Sequence, residues 1–80
     1  SGPHNIDLYD RLRRAAEEEP YERISIMTVD KETVYIYSAP YKKSGKEFLI
    51  FIAKGDARLA CDIVGEVTLD DVTDLLFGRN

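Results

Sequence analysis

Histidine and cysteine, the side chains most often used as general base, thiol nucleophile or transition-metal ligand, are scarce in this chain. Its 80 residues include one histidine, His4, and one cysteine, Cys61. A nucleophile needs a base within reach, and His4 is the sole imidazole. Cys61 falls on a strand alternation that points inward, which predicts an inert core thiol. A lone cysteine forms neither an intramolecular disulfide nor a multi-cysteine metal cage, a usage that suits a reducing compartment. Asp70, Asp71 and Asp74 are the best carboxylate cluster. Thr68-Leu69-Asp70-Asp71 has the form of a capping box with Asp in place of the usual Glu, and no calcium-loop pattern surrounds it. These acids are therefore expected at a helix N-terminus. Gly45-Lys46 lacks the rest of a phosphate-binding loop, since Glu47 stands where Ser or Thr belongs and no glycine precedes at the required spacing. The expectation is a non-enzymatic protein with no catalytic residue, no metal site and no cofactor.

The stretch YIYSAPYKKSGKEF, residues 35–48, is the one concentration of binding chemistry. The chain carries a net charge of −4, yet residues 41–60 sum to +3 through Lys42, Lys43, Lys46, Lys54 and Arg58. Tyr35, Tyr37 and Tyr41 lie nearby, and rings beside cations are what a single-strand nucleic-acid platform uses. No aromatic signature of a sheet-based RNA reader is present, and the surrounding acidic chain repels phosphates, which disfavours nucleic acid as the partner. Lys42-Lys43-Ser44-Gly45-Lys46 reads first as a solvated hairpin connection. Tyr41, Lys42, Lys43 and Lys46 would then form a basic rim to a protein-binding surface, where tyrosine is enriched and charge steers association.

The elements that position these residues are legible in the periodicity. A chain of this length forms one domain with a small core. Ser1-Gly2-Pro3-His4 reads as a cloning scar, leaving 5–80 as the domain. Asn5 is the expected cap of a first helix, with Ile6, Tyr9, Leu12 and Ala16 on one face and Pro20 at its end. Arginines 11, 13 and 14 and glutamates 17–19 are spaced for ion pairs along a solvated face. Residues 23–29 and 33–38 alternate as two strands of a hairpin; residues 47–54 form a third strand, apolar on both faces, and 57–64 a fourth beyond the Gly55-Asp56 turn. Leu69, Val72, Leu75 and Leu76 face one side of a closing helix that Gly78 stops. The predicted fold is α+β: helix, four-stranded antiparallel meander, helix.

Placing Lys31-Glu32 at the first turn pairs Val29 with Val34 and Met27 with Ile36. Placing Gly55-Asp56 at the second pairs Ile52 with Leu59, Ile50 with Cys61 and Phe48 with Ile63, a wholly apolar core face. The opposite face then displays Ile24, Ile26, Tyr35, Tyr37, Leu49 and Phe51. Soluble monomers rarely leave such a patch in water. Either one helix covers each face, or a partner, most simply a second copy in a homodimer, covers this one. The longest apolar run, Phe48–Ala53, falls far below the roughly 20 residues of a membrane span, and no signal peptide is apparent, so a cytoplasmic protein-interaction or dimerisation domain is expected.

Overall fold

A computed structural model describes residues 3–78, and the order is the predicted one: α1 (Pro3–Ala15), β1 (Glu22–Val29), β2 (Glu32–Tyr41), β3 (Gly45–Lys54), β4 (Ala57–Gly65) and α2 (Leu69–Phe77). The four strands form one antiparallel meander in the order β1-β2-β3-β4, so β2 and β3 are central and β1 and β4 are edges. Ser1 and Gly2 of the supposed scar lie outside the described residues; Pro3 and His4 belong to the first turn of α1.

Both ends of α1 differ from expectation. The helix begins at Pro3, where the fixed φ of proline suits a first turn and its missing N–H is one that the turn leaves unpaired anyway, so Asn5 lies inside the helix and not at its cap. It stops at Ala15, well before Pro20. The chain tightens there, Ala16 N–H bonding both Leu12 and Arg13 carbonyls at 3.1 Å and Glu17 N–H bonding the Arg14 carbonyl at 3.1 Å. That tightening turns Glu17 down towards the sheet.

The second hairpin has the predicted register, with Lys54 opposite Ala57, Ile52 opposite Leu59, Ile50 opposite Cys61 and Phe48 opposite Ile63. The first is shifted by two residues. Its turn is Asp30-Lys31, both at positive φ (51° and 66°), and the pairs are Val29 with Glu32 and Met27 with Val34. Both central residues of such a turn adopt the left-handed region, which matches the twist of the strands but gives no glycine to mark it. A shift of two preserves the faces. A bulge between Arg23 and Ser25 then breaks the alternation at Ile24.

One helix covers each face. On the first, Val72 of α2 packs on Val34, Ile36, Phe48 and Ile50. Thr68 Oγ1 accepts from Asp71 N–H at 3.1 Å while Asp71 Oδ2 accepts from Thr68 N–H at 2.9 Å, the predicted capping box, and Gly78 (φ 64°) ends the helix. On the second face Tyr9 and Ala16 pack on Tyr37 and Phe51, with Tyr9 and Tyr37 each edge-on to the Phe51 ring. Burying Phe48 and Ile50 on one side and Phe51 on the other explains why the middle of β3, Phe48–Ala53, is apolar at every position.

Cys61 corrects the expectation of a core thiol. It points to the α2 side, opposite Ile50, but it is exposed. The buried cluster beneath α2 is drawn from β2 and β3, leaving Leu59 and Cys61 on the edge strand uncovered.

Candidate functional site

The side chains that sequence periodicity places on a possible interaction face separate in the structure. Tyr37 and Phe51 lie under α1, with 0% and 3% of their surface exposed. Tyr35 and Leu49 are half-buried beside them, Tyr35 lying 4.4 Å beneath the Arg13 guanidinium. Ile26 and, at the bulge, Ile24 remain exposed on β1. Tyr37 is held from above as well, its hydroxyl donating to Glu17 Oε2, which also accepts from Arg23 Nη1 at 3.3 Å.

The basic residues also separate. Tyr41 ends β2, and Lys42 (φ 54°), Lys43 and Ser44 form the connection to β3, with Lys42 Nζ 5.5 Å from the Tyr41 ring centre. Lys46 is exposed one residue into β3, and Ser44 Oγ donates to Glu66 at 3.0 Å. Lys54 and Arg58 flank the Gly55-Asp56 turn at the other end of the sheet. The +3 segment is therefore divided between opposite ends of the strands.

What the fold does assemble is the open side of β4. In a two-residue hairpin the residues flanking the turn exchange hydrogen bonds, so Ala57, Leu59, Cys61 and Ile63 direct their backbone groups to β3. The alternate residues Arg58, Ala60, Asp62 and Val64 direct theirs outward. The β3–β4 register is continuous from Lys54–Ala57 to Lys46–Gly65, without the bulge that interrupts β1.

Apolar side chains flank this edge on both sides. Leu8 and Leu12, one turn apart on α1, are 53% and 46% exposed and line a groove against Arg58 and Ala60. On the other side stand Leu59, 56% exposed, and Leu75 of α2, 71% exposed and lining a groove with Ile63. Between α1 and β4 runs a cleft of about 350 Å³, walled by Leu12, Ala16, Leu49, Phe51 and Ala60, with Tyr21 and Asp62 in its lining. The Tyr21 hydroxyl donates to Glu47 Oε1 at 2.9 Å, which raises the Tyr21 pKa. Desolvation foremost, and then the adjoining Glu47 carboxyl, raise the pKa of the largely exposed Asp62 above its ordinary value. Arg58 Nη1 donates to the carbonyls of Gly55 and Ala57 at 2.7 and 2.8 Å, and its guanidinium lies 5.6 Å from the Tyr9 ring centre.

Sequence periodicity assigns Leu12, Leu59 and Leu75 to the core and passes over Leu8. The signal for a second apolar stripe on α1 is the i, i+4 pair Leu8 and Leu12. Among the described residues no group of three or more His, Cys, Asp or Glu is placed to hold a metal ion, and no helix is long and apolar enough to cross a membrane. No family model matches the chain, and no curated protein or solved structure matches it either. Fold and surface together define a small α+β domain with an antiparallel meander, one helix on each face and an open, apolar-flanked edge strand.

Proposed function

We propose that this chain is a non-enzymatic, cytoplasmic protein-interaction domain that works by association through the β4 edge and the leucines beside it. The observation that carries this reading is the grouping of exposed Leu8, Leu12, Leu59 and Leu75 around a strand whose outward N–H and C=O groups have no neighbouring strand among the described residues. Natural sheets commonly shield an edge with a bulge, proline or lysine. β1 has its bulge; β4 has neither a bulge nor a proline or lysine, and its two charges, Arg58 and Asp62, are of opposite sign. Strand addition at such an edge uses backbone hydrogen bonds for affinity and the side chains above and below for selection.

The half-buried Tyr35, with Tyr41 and the lysines that follow it, lies on other parts of the surface and serves as rim in this reading. The internal cover over Tyr37 and Phe51 makes these two residues poor reporters of association, because charges there would break the core. Leu8→Glu with Leu12→Glu is the informative change: both side chains are exposed, so the fold survives. Molar mass by light scattering over a concentration series then reads association directly. The double variant is expected to be monomeric where the parent associates; identical behaviour of the two would remove the reading.

A further inference from the structure

The association reading leaves the occupant of the β4 edge open, and the charges on that edge choose it. Arg58 and Asp62 sit on the same face of β4, two residues either side of Ala60. Their backbone groups, with those of Ala60, are the ones directed outward. A segment with opposite charges at equal distances from a small central residue is complementary to itself when reversed.

We propose that the occupant is a second copy of this chain, whose β4 pairs antiparallel with the first about a two-fold axis at Ala60, setting Arg58 of each copy opposite Asp62 of the other. The two sheets become one eight-stranded sheet, closed by symmetry, as isologous dimers are. Ala60 meets its own copy at the axis, where two methyl groups leave the strands free to approach. On the α2 side Leu59 faces Cys61 of the other copy, covering two side chains that the single chain leaves in water. On the α1 side Leu8 and Leu12 of both copies flank the seam.

Other registers are worse for a stated reason. Centring the axis on Asp62 sets two carboxylates opposite each other beside two Glu47 side chains, and like charges directly opposite are destabilising. Centring it on Leu59 places Asp62 opposite Asp56. Centring it on Cys61 puts Asp62 opposite an alanine and wastes the arginine. Only the Ala60 axis gives both Asp62 carboxylates a guanidinium. Arg58 uses Nη1 for the turn carbonyls, and its other N–H groups remain for the carboxylate.

This inference rests on the association reading, and the experiment separates their failures. Sedimentation equilibrium is run on the parent, Arg58→Asp, Asp62→Arg and the double exchange, with circular dichroism confirming that each is folded. Each single reversal is expected to weaken dimerisation by roughly tenfold or more, and the double exchange to restore it to within about threefold of the parent. In parallel, Leu59→Cys under mild oxidation traps a covalent dimer, because the introduced thiol meets Cys61 of the other copy, while the parent, whose Cys61 side chains are offset, does not trap. A parent that traps as readily as Leu59→Cys, or a dimer indifferent to the exchanges, overturns the Ala60 register and leaves association standing. A parent that stays monomeric at every concentration overturns the proposed dimer; if a copy immobilised through its N-terminus also fails to bind a synthetic peptide of residues 56–66, use of the β4 edge falls with it.

Discussion

The hydroxyl of Tyr37, the most deeply placed side chain under α1, donates to the carboxylate of Glu17 at the turn that follows the helix. One bond thereby satisfies a polar atom in the core and fixes where the chain leaves α1 for β1. Removing the hydroxyl in Tyr37→Phe should destabilise the domain by about 1–2 kcal/mol, the low end for a hydrogen bond to a charged group because the Glu17 carboxylate is partly exposed. Urea denaturation measures it, and a double-mutant cycle with Glu17→Gln should show coupling between the two sites.

The same contact sets an alkaline limit. Burial foremost, then the Glu17 hydrogen bond, raise the Tyr37 pKa above its ordinary value near 10. The folded state holds this proton more tightly than the unfolded state does. The corresponding stability is fully present below the unfolded pKa and is lost as pH rises through the higher folded one. Stability should therefore fall above about pH 10, and Tyr37→Phe should make that fall shallower. Denaturation midpoints between about pH 8 and pH 11 on both proteins check it.

Tyr9 sits in the same cluster without a hydrogen-bonding group of the described residues at its buried hydroxyl, and burial raises its pKa. Its ring does the packing, edge-on to Phe51. Tyr9→Phe should accordingly be neutral or stabilising by up to about 1 kcal/mol, the reverse of Tyr37→Phe, because it removes a desolvated polar atom and no bond. Thermal melts of the two variants side by side give the sign.

The first hairpin turn places Lys31 at φ 66°. A side chain in the left-handed region costs about 1 kcal/mol that glycine avoids, so Lys31→Gly should stabilise the domain by about 0.5 kcal/mol after its greater unfolded-state entropy is counted. An unchanged or lowered urea midpoint would sink this account of the turn.

Gly45 has the opposite sensitivity. A β-carbon there would stand 2.9 Å from the Tyr41 carbonyl oxygen and 3.0 Å from that of Gly65, both backbone atoms that cannot swing aside. Gly45→Ala should cost about 1–3 kcal/mol by forcing the β2–β3 connection from β4, read as a lower melting temperature.

Local chemistry alone determined much of this protein. The apolar run Phe48–Ala53 specified a strand buried on both faces, Gly55-Asp56 specified the register of the second hairpin, and Thr68 with Asp71 specified where α2 starts, because each signal is carried by residues adjacent in the chain. The first hairpin was legible in its faces but not its turn, since Asp30 and Lys31 adopt positive φ without a glycine to announce it. Which helix covers which face, and how far across it, is decided only by tertiary packing. Periodicity reports that Tyr37 and Phe51 share a face with Leu49, and that Cys61 and Leu59 share one with Ile50. It says nothing about the width of a helix. On one face α2 covers the central strands and stops short of β4, so the expected core thiol became surface; on the other α1 covers Tyr37 and Phe51, which makes them core and not an interface.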